Sequence, residues 1–296
     1  GVEHMEDNPQ WHGKAPKPEM VPIIEDELES QFMIAPSIIA GDMSNLDKEV
    51  KRCADGRADY IHLDVMDGQF VPNKTFDHTK IKELRPLTLI PFDAHLMINE
   101  PVKHVQDYIE AGCDIITVHA EVCDETSFGE IYDKLQSNQI GVGLAINPDT
   151  ELPQWSYKFV PLLDQIIIMS VVPGKSGQKF IESTHDKIQK ISKDLNEHKF
   201  GGYIEADGGI NLENIGPCFE DGARVFVGGS AIIGQDDVRL IIKEFRNHVL
   251  ESRRRLLLKK AYEIGGMELV NKWIELHILG KKKDSLIELA KELGFQ

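Results

Sequence analysis

His62 and Asp64 stand two apart inside the apolar run Ile61-His-Leu-Asp-Val-Met66, which the turn residues Asp67-Gly68 close. Side chains at i and i+2 of a strand share a face. An imidazole and a carboxylate therefore leave one strand side by side, at the end where the turn begins. The device recurs: Asp93-Ala-His95-Leu-Met97 ends a second apolar run, and Ala206-Asp207-Gly208-Gly209 ends a third. A lone His-x-Asp pair is an ordinary hydrogen-bonded pair. Two imidazoles and two carboxylates at one rim form a mixed nitrogen and oxygen donor set that suits Zn, Mn, Fe or Co.

A second constellation suits an anion. Pro173-Gly174-Lys175-Ser176-Gly177-Gln178, Gly208-Gly209 and Gly228-Gly229-Ser230 are three glycine-rich turns late in the chain. Glycine lets backbone N–H groups approach a phosphate closely, and Lys175 adds a point charge; the plain alternative is a set of ordinary turns. Met66, Met97 and Met169 fall at strand ends and give a soft, polarizable lining, or simply fill the core. Ser37 ends the first apolar run, placed to bond a substrate hydroxyl or to cap.

Short β-rich runs alternate with amphipathic stretches from Met33 onward. Strands are expected at 33–37, 60–65, 89–97, 115–119, 141–146, 165–171, 202–206 and 224–227. Helical stretches are expected at 45–53, 79–84, 102–111, 128–138, 154–159, 184–197, 214–221 and 237–249. Eight strand–helix units over about 220 residues predict a parallel sheet with right-handed crossovers, closed as a (β/α)8 TIM barrel. An open doubly wound sheet is the alternative, and no Gly-x-Gly-x-x-Gly follows the first strand to support it. Functional groups in such barrels project from the C-terminal strand ends, where His62, Asp64, His95 and Asp207 all stand. The organisation expected is a flexible arm at 1–32 (1–5 resembling a cloning remnant), a catalytic barrel at 33–249 and a C-terminal helical extension at 250–296. Gly265-Gly266 is expected to break the extension, leaving further helices at 269–279 and 285–293.

The chain has 296 residues, with 33 basic against 49 acidic side chains and a formal net charge of −16. Such a balance repels phosphate backbones and anionic lipid, so neither a nucleic-acid nor a membrane partner is expected. Any anionic substrate must be held by a local device. No run reaches the ~18 apolar residues of a membrane helix. No signal peptide is visible, and four scattered cysteines without a Cys-x-x-Cys predict reduced thiols. A cytoplasmic location is the default expectation, and a homo-oligomer the default assembly.

Read together, Ile34-Ala-Pro-Ser-Ile38, His62-Leu-Asp-Val-Met-Asp-Gly-Gln-Phe-Val-Pro-Asn73, His95-Leu-Met97, Ile116-Thr-Val-His-Ala-Glu121, Met169-Ser170, Pro173-Gly174, Gly177-Gln-Lys-Phe180, Asp207-Gly-Gly-Ile210 and Gly229-Ser-Ala231 resemble the ribulose-phosphate 3-epimerases. The resemblance covers roughly 33–245 in unbroken order. It implies a (β/α)8 barrel that interconverts D-ribulose 5-phosphate and D-xylulose 5-phosphate with one divalent metal ion (Zn, Mn, Fe, Co or Mg). By resemblance His62, Asp64, His95 and Asp207 are the ligands, and Asp64 and Asp207 the two acid/bases. One would remove the C3 proton and the other return a proton to the opposite face, through an enediolate. Ser37, His95, Met66, Met97, Met169, Gly174, Lys175, Ser176, Gly177, Gly208, Gly209, Gly229 and Ser230 are the expected substrate-binding set.

Departures fall in or near the phosphate loop: Val172 replaces the family's usual Asn, Lys175-Ser176 its usual Phe-Gly, and Ala206 a common Val. They keep open a hexulose-6-phosphate (allulose-6-phosphate) 3-epimerase as the enzymatic alternative. A sugar-phosphate-binding scaffold is the non-enzymatic one. A decarboxylase of the orotidine type would need a lysine where Met66 stands.

Overall fold

The computed structural model describes residues 31–174, 177–278 and 286–295. The expectations for 1–30, for Lys175 and Ser176 and for 279–285 lie outside them. Eight strands alternate with helices: β1 (Met33–Pro36), β2 (Ile61–Met66), β3 (Phe92–Met97), β4 (Ile115–His119), β5 (Gly141–Ile146), β6 (Gln165–Met169), β7 (Tyr203–Asp207) and β8 (Val225–Gly228). The helices are α1 (Leu46–Asp55), α2 (His78–Leu84), α3 (Val105–Ala111), α4 (Glu125–Ser137), α5 (Thr184–Glu197), α6 (Ile215–Asp221), α7 (Ser230–Ile233), α8 (Val238–Ile278) and α9 (Leu286–Glu292).

All strand pairings are parallel, in the order β1-β8-β7-β6-β5-β4-β3-β2. The remaining seam, between β1 and β2, closes through a parallel bridge of Ser37 with His62. The Ile34 carbonyl adds bonds from the Asp59 and Tyr60 N–H groups. The barrel thus shuts at the strand that carries His62 and Asp64.

Alternation decides what faces where. Ile61, Leu63, Phe92, Ala94, Leu96, Ile116, Val118, Leu144, Ile166 and Ile168 join the continuous apolar layer between strands and helices. Their neighbours in sequence point into the barrel. The interior is apolar toward the N-terminal end, with Met33, Ala35, Tyr60, Ile115, Tyr203 and Val225, and polar above it. Thr117 and Gln165 are buried there beside His62, Asp93 and Glu205. Gly143 leaves room for this layer, since a Cβ there would collide with the Thr117 side chain.

Most predicted elements form within a residue or two, and several differ for clear reasons. β3 starts at Phe92, because Pro91 before it has no N–H for a ladder. Ser37 falls outside β1, bridges to His62 and donates its backbone N–H to the Gly228 carbonyl. The 154–159 stretch is a 3₁₀ turn, Gln154–Lys158, with Pro153 before it. α7 was not foreseen. The closing helix does not stop at Val249: α8 runs on from Val238, with non-helical backbone only at Gly265 and Gly266. That break is where the paired glycines predicted it. Around and beyond it Leu257, Ala261, Leu269, Val270, Trp273, Leu286 and Leu289 bury one another in a small separate core. Among the described residues no helix is long and apolar enough to cross a membrane.

Candidate metal centre and active site

At the C-terminal mouth, β2 presents His62 and Asp64, β3 presents His95 and β7 presents Asp207. All four are at most 6% exposed. His62 Nε2 lies 2.9 Å from Asp64 Oδ1 and 3.2 Å from Asp207 Oδ2. His95 Nδ1 lies 3.0 Å from Asp64 Oδ1 and 3.1 Å from Asp207 Oδ2. Tetrahedral zinc with bonds of about 2.1 Å would set its donors about 3.4 Å apart, and these four separations fall short of that figure by about 0.2–0.5 Å. Despite its closeness to two nitrogens, Asp207 Oδ2 makes no hydrogen bond of sound geometry. One donor atom from each of the four residues lies within 4.8 Å of the other three, and a divalent cation fits that donor set.

Charge perturbations follow from the crowding. Burial opposes protonation of His62, yet Asp64, Asp207, Glu205 and Asp93 outweigh it and hold the imidazole well above its ordinary range. His95 is likewise raised against its burial, by the adjacent carboxylates of Asp207 and Asp64. Burial pushes Asp64 up, but His62 and His95 overcome it and hold the carboxyl well below the usual range.

A further ring of groups stands behind the donors. His62 Nδ1 lies 2.8 Å from Asp93 Oδ2 and 3.1 Å from Glu205 Oε1. Gln165 Nε2 donates to Asp93 Oδ1 at 3.0 Å. Burial first, and Asp93 second, push the Glu205 carboxyl far up. His95 Nε2 meets His119 Nε2 at 2.7 Å, and His119 Nδ1 meets Glu121 Oε1 at 2.9 Å. Burial lowers His119. Burial works against ionisation of Glu121, yet the His119 hydrogen bond carries its carboxyl down to about 2. Partners of this kind orient and tune metal-binding imidazoles.

Above the cluster opens a cleft. Ser37, Asp64 and Asp207 form its polar floor, and Met66, Met97 and Met169 its apolar wall. Ser37 Oγ donates to Asp64 Oδ2 at 2.5 Å. Gly174, Gly177, Gly208, Gly209, Gly229 and Ser230 line the side formed after β6, β7 and β8. The Gly208-Gly209 turn needs its glycines. Both have positive φ, +119° and +66°, and a Cβ on Gly209 would come 2.5 Å from the Phe180 backbone nitrogen. His95, expected to touch substrate, is fully buried, and its ring nitrogens meet Asp64 Oδ1 and His119 Nε2.

Sequence reasoning passed over Asp93, His119, Glu121, Gln165 and Glu205 as functional groups. The signal was available: Asp93 and Glu205 stand at i−2 from His95 and Asp207, hence on the same strand faces.

The chain has counterparts among known proteins. The model of the "Ribulose-phosphate 3 epimerase family" matches residues 33–233. A ribulose-phosphate 3-epimerase of Bacillus subtilis is 39% identical over 214 residues, covering 72% of this chain and 97% of its own. The chloroplastic ribulose-5-phosphate-3-epimerase of Arabidopsis thaliana is 39% identical over 215 residues, 73% of this chain and 76% of its own. Among solved structures, KGPDC from Streptococcus mutans aligns with a TM-score of 0.56 at 10% identity. That alignment covers 75% of this chain and 99% of the other, a likeness of fold alone.

Proposed function

The chain belongs to the ribulose-phosphate 3-epimerase family, and on that premise we propose that it interconverts D-ribulose 5-phosphate and D-xylulose 5-phosphate by inverting C3. It is an isomerase of the epimerase kind. One observation carries the reading beyond membership. Two carboxylates, Asp64 and Asp207, reach the floor of a single cleft from strands three steps apart round the barrel.

Inversion at a carbon next to a carbonyl requires proton removal from one face of the sugar and delivery to the other. A single carboxylate cannot reach both faces, whereas groups from β2 and β7 can flank a planar enediolate. Asp64 takes the C3 proton of one epimer, and the C–H electrons become the C2–C3 double bond. Asp207 then delivers a proton from the opposite side, and the roles exchange in reverse. The divalent ion that His62, Asp64, His95 and Asp207 would hold supplies a Lewis acid for the negative charge growing on the sugar oxygens. Ser37 orients Asp64 through Oδ2. The three methionines keep water from the reacting carbon, and the glycine turns after β6, β7 and β8 take the phosphate through backbone N–H groups. This is how so acidic a chain holds a dianion.

The remaining expectations belong to the same proposal: catalysis within 33–249, a helical extension beyond it, a homo-oligomer and a cytoplasmic setting. The four unpaired cysteines suit a reducing compartment. Turnover of ribulose 5-phosphate and of a hexulose 6-phosphate, each before and after exhaustive chelation, tests the function. The expected outcome is a preference for the pentulose, with activity lost on chelation and restored by a divalent ion. Preference for the hexulose would move the assignment to the six-carbon substrate, and full activity in metal-free protein would remove the Lewis acid.

A further inference from the structure

We propose that Ser170 and Asn214 aim the Gly209 and Ile210 N–H groups into the cleft, and so preset the turn after β7 for the phosphate of the substrate. The inference rests on the reading above that this turn takes the phosphate. It gives a positioning role to two side chains whose bonds run to the backbone of the turn.

A peptide unit is planar and trans, so its C=O and the N–H of the next residue point in opposite directions. Holding the oxygen therefore sets the direction of the hydrogen. Ser170 Oγ donates to the Gly208 carbonyl at 2.5 Å. Asn214 Nδ2 donates to the Gly209 carbonyl at 2.8 Å. Two successive peptides are thus fixed from behind, and the N–H groups of Gly209 and Ile210 leave on the other side. Both residues line the cleft, and among the described residues neither N–H has a hydrogen-bond partner. Adjacent N–H groups of a turn form a concavity that suits an anion.

Both holders are themselves held. Ser170 is fully buried, its N–H donates to the Asp207 carbonyl at 2.9 Å, and its own carbonyl accepts the Ile181 N–H at 2.8 Å. Its hydroxyl meets a carbonyl, which only accepts, so the hydroxyl must donate. Asn214 stands just before α6 but gives that helix no side-chain cap. Its Oδ1 instead accepts the Asn211 N–H at 2.8 Å, which fixes the amide with Nδ2 toward Gly209. Behind the turn, a Cβ on Gly208 would strike the Val171 side chain, so the turn is packed on the segment that carries Ser170. Glycine permits many backbone conformations, so an unheld peptide here can flip and show its oxygen to the dianion. The two side chains remove that freedom before the substrate arrives, and aligned dipoles then need no reorganisation on binding.

The test is steady-state kinetics of metal-loaded Ser170→Ala and Asn214→Ala with D-ribulose 5-phosphate. Inorganic phosphate serves as the competing anion, and Zn²⁺ affinity is measured on the same variants. Each variant should raise KM and the phosphate inhibition constant about 10-fold, the low end for a hydrogen bond to a charged group, while kcat falls less. Zn²⁺ affinity should stay near wild type, because alanine at 170 keeps the main-chain bond to the Asp207 carbonyl. Unchanged KM and phosphate inhibition in both variants would overturn the inference. So would a kcat loss as large as the KM rise together with weakened Zn²⁺ binding, the mark of residues that merely support Asp207. If S170A does not fold, N214A decides, since it acts on the other peptide. Wild type that inorganic phosphate does not inhibit would overturn the phosphate reading of the turn itself.

Discussion

Asp207→Asn is the sharpest perturbation of the two-base scheme, because it keeps the shape and removes the charge. The side chain is 6% exposed, and its Oδ2 stands 3.2 Å from His62 Nε2 and 3.1 Å from His95 Nδ1. An amide there cannot take or return a proton. Losing one general acid/base costs about 10²–10⁴-fold, roughly 3–5 kcal/mol of barrier at 1.36 kcal/mol per decade. The fold should survive, because Asp64 still faces both imidazoles at 2.9 and 3.0 Å. The assay is ¹H NMR in D₂O with saturating divalent ion, following both epimerisation and exchange of the C3 hydrogen. Asp207→Asn should lose epimerisation yet retain slow exchange into one epimer through Asp64, and Asp64→Asn should show the opposite epimer. Near-wild-type turnover in either variant would refute the reasoning.

Two further outcomes follow from the same geometry. His62 and His95 are held above the ordinary value of 6.5. In stripped protein they contribute stability that is fully present below about 6.5 and lost as pH rises through their raised values. Their protons also compete with the cation, so affinity should climb with pH. Denaturant melts of stripped and loaded protein across pH check this, and a stripped protein that gains stability with rising pH through that window would contradict it. Gly209→Ala must fit a Cβ at φ +66° within 2.5 Å of the Phe180 nitrogen, a strain of about 1–2 kcal/mol. It should raise KM for the sugar phosphate more than it lowers kcat; steady-state kinetics with KM unchanged would remove the β7 turn from phosphate binding.

Much of this was legible in the chain because the informative residues obey simple periods. His62 and Asp64 share a face by the period of two, and the Asp67-Gly68 and Gly208-Gly209 turns mark where strands end. The eight units could be counted because Gly112 and similar punctuation separate them. The period of two put Asp93 and Glu205 on the inward strand faces, but it could not show them enclosed, since acidic residues are rarely buried unless paired. Their partners, His62 and each other, come together only when the barrel closes. The run of α8 past Val249 was missed for a different reason. Completing eight units suggested a stop there, but no glycine or proline stands between Val249 and Gly265 to enforce one.

Anomalous diffraction at the absorption edge of the bound metal tests the central claim most directly. One peak per chain is expected, about 2.0–2.2 Å from His62 Nε2, Asp64 Oδ1, His95 Nδ1 and Asp207 Oδ2. A sole peak elsewhere, such as beside His185, Cys218 and Asp221 between α5 and α6, would contradict it.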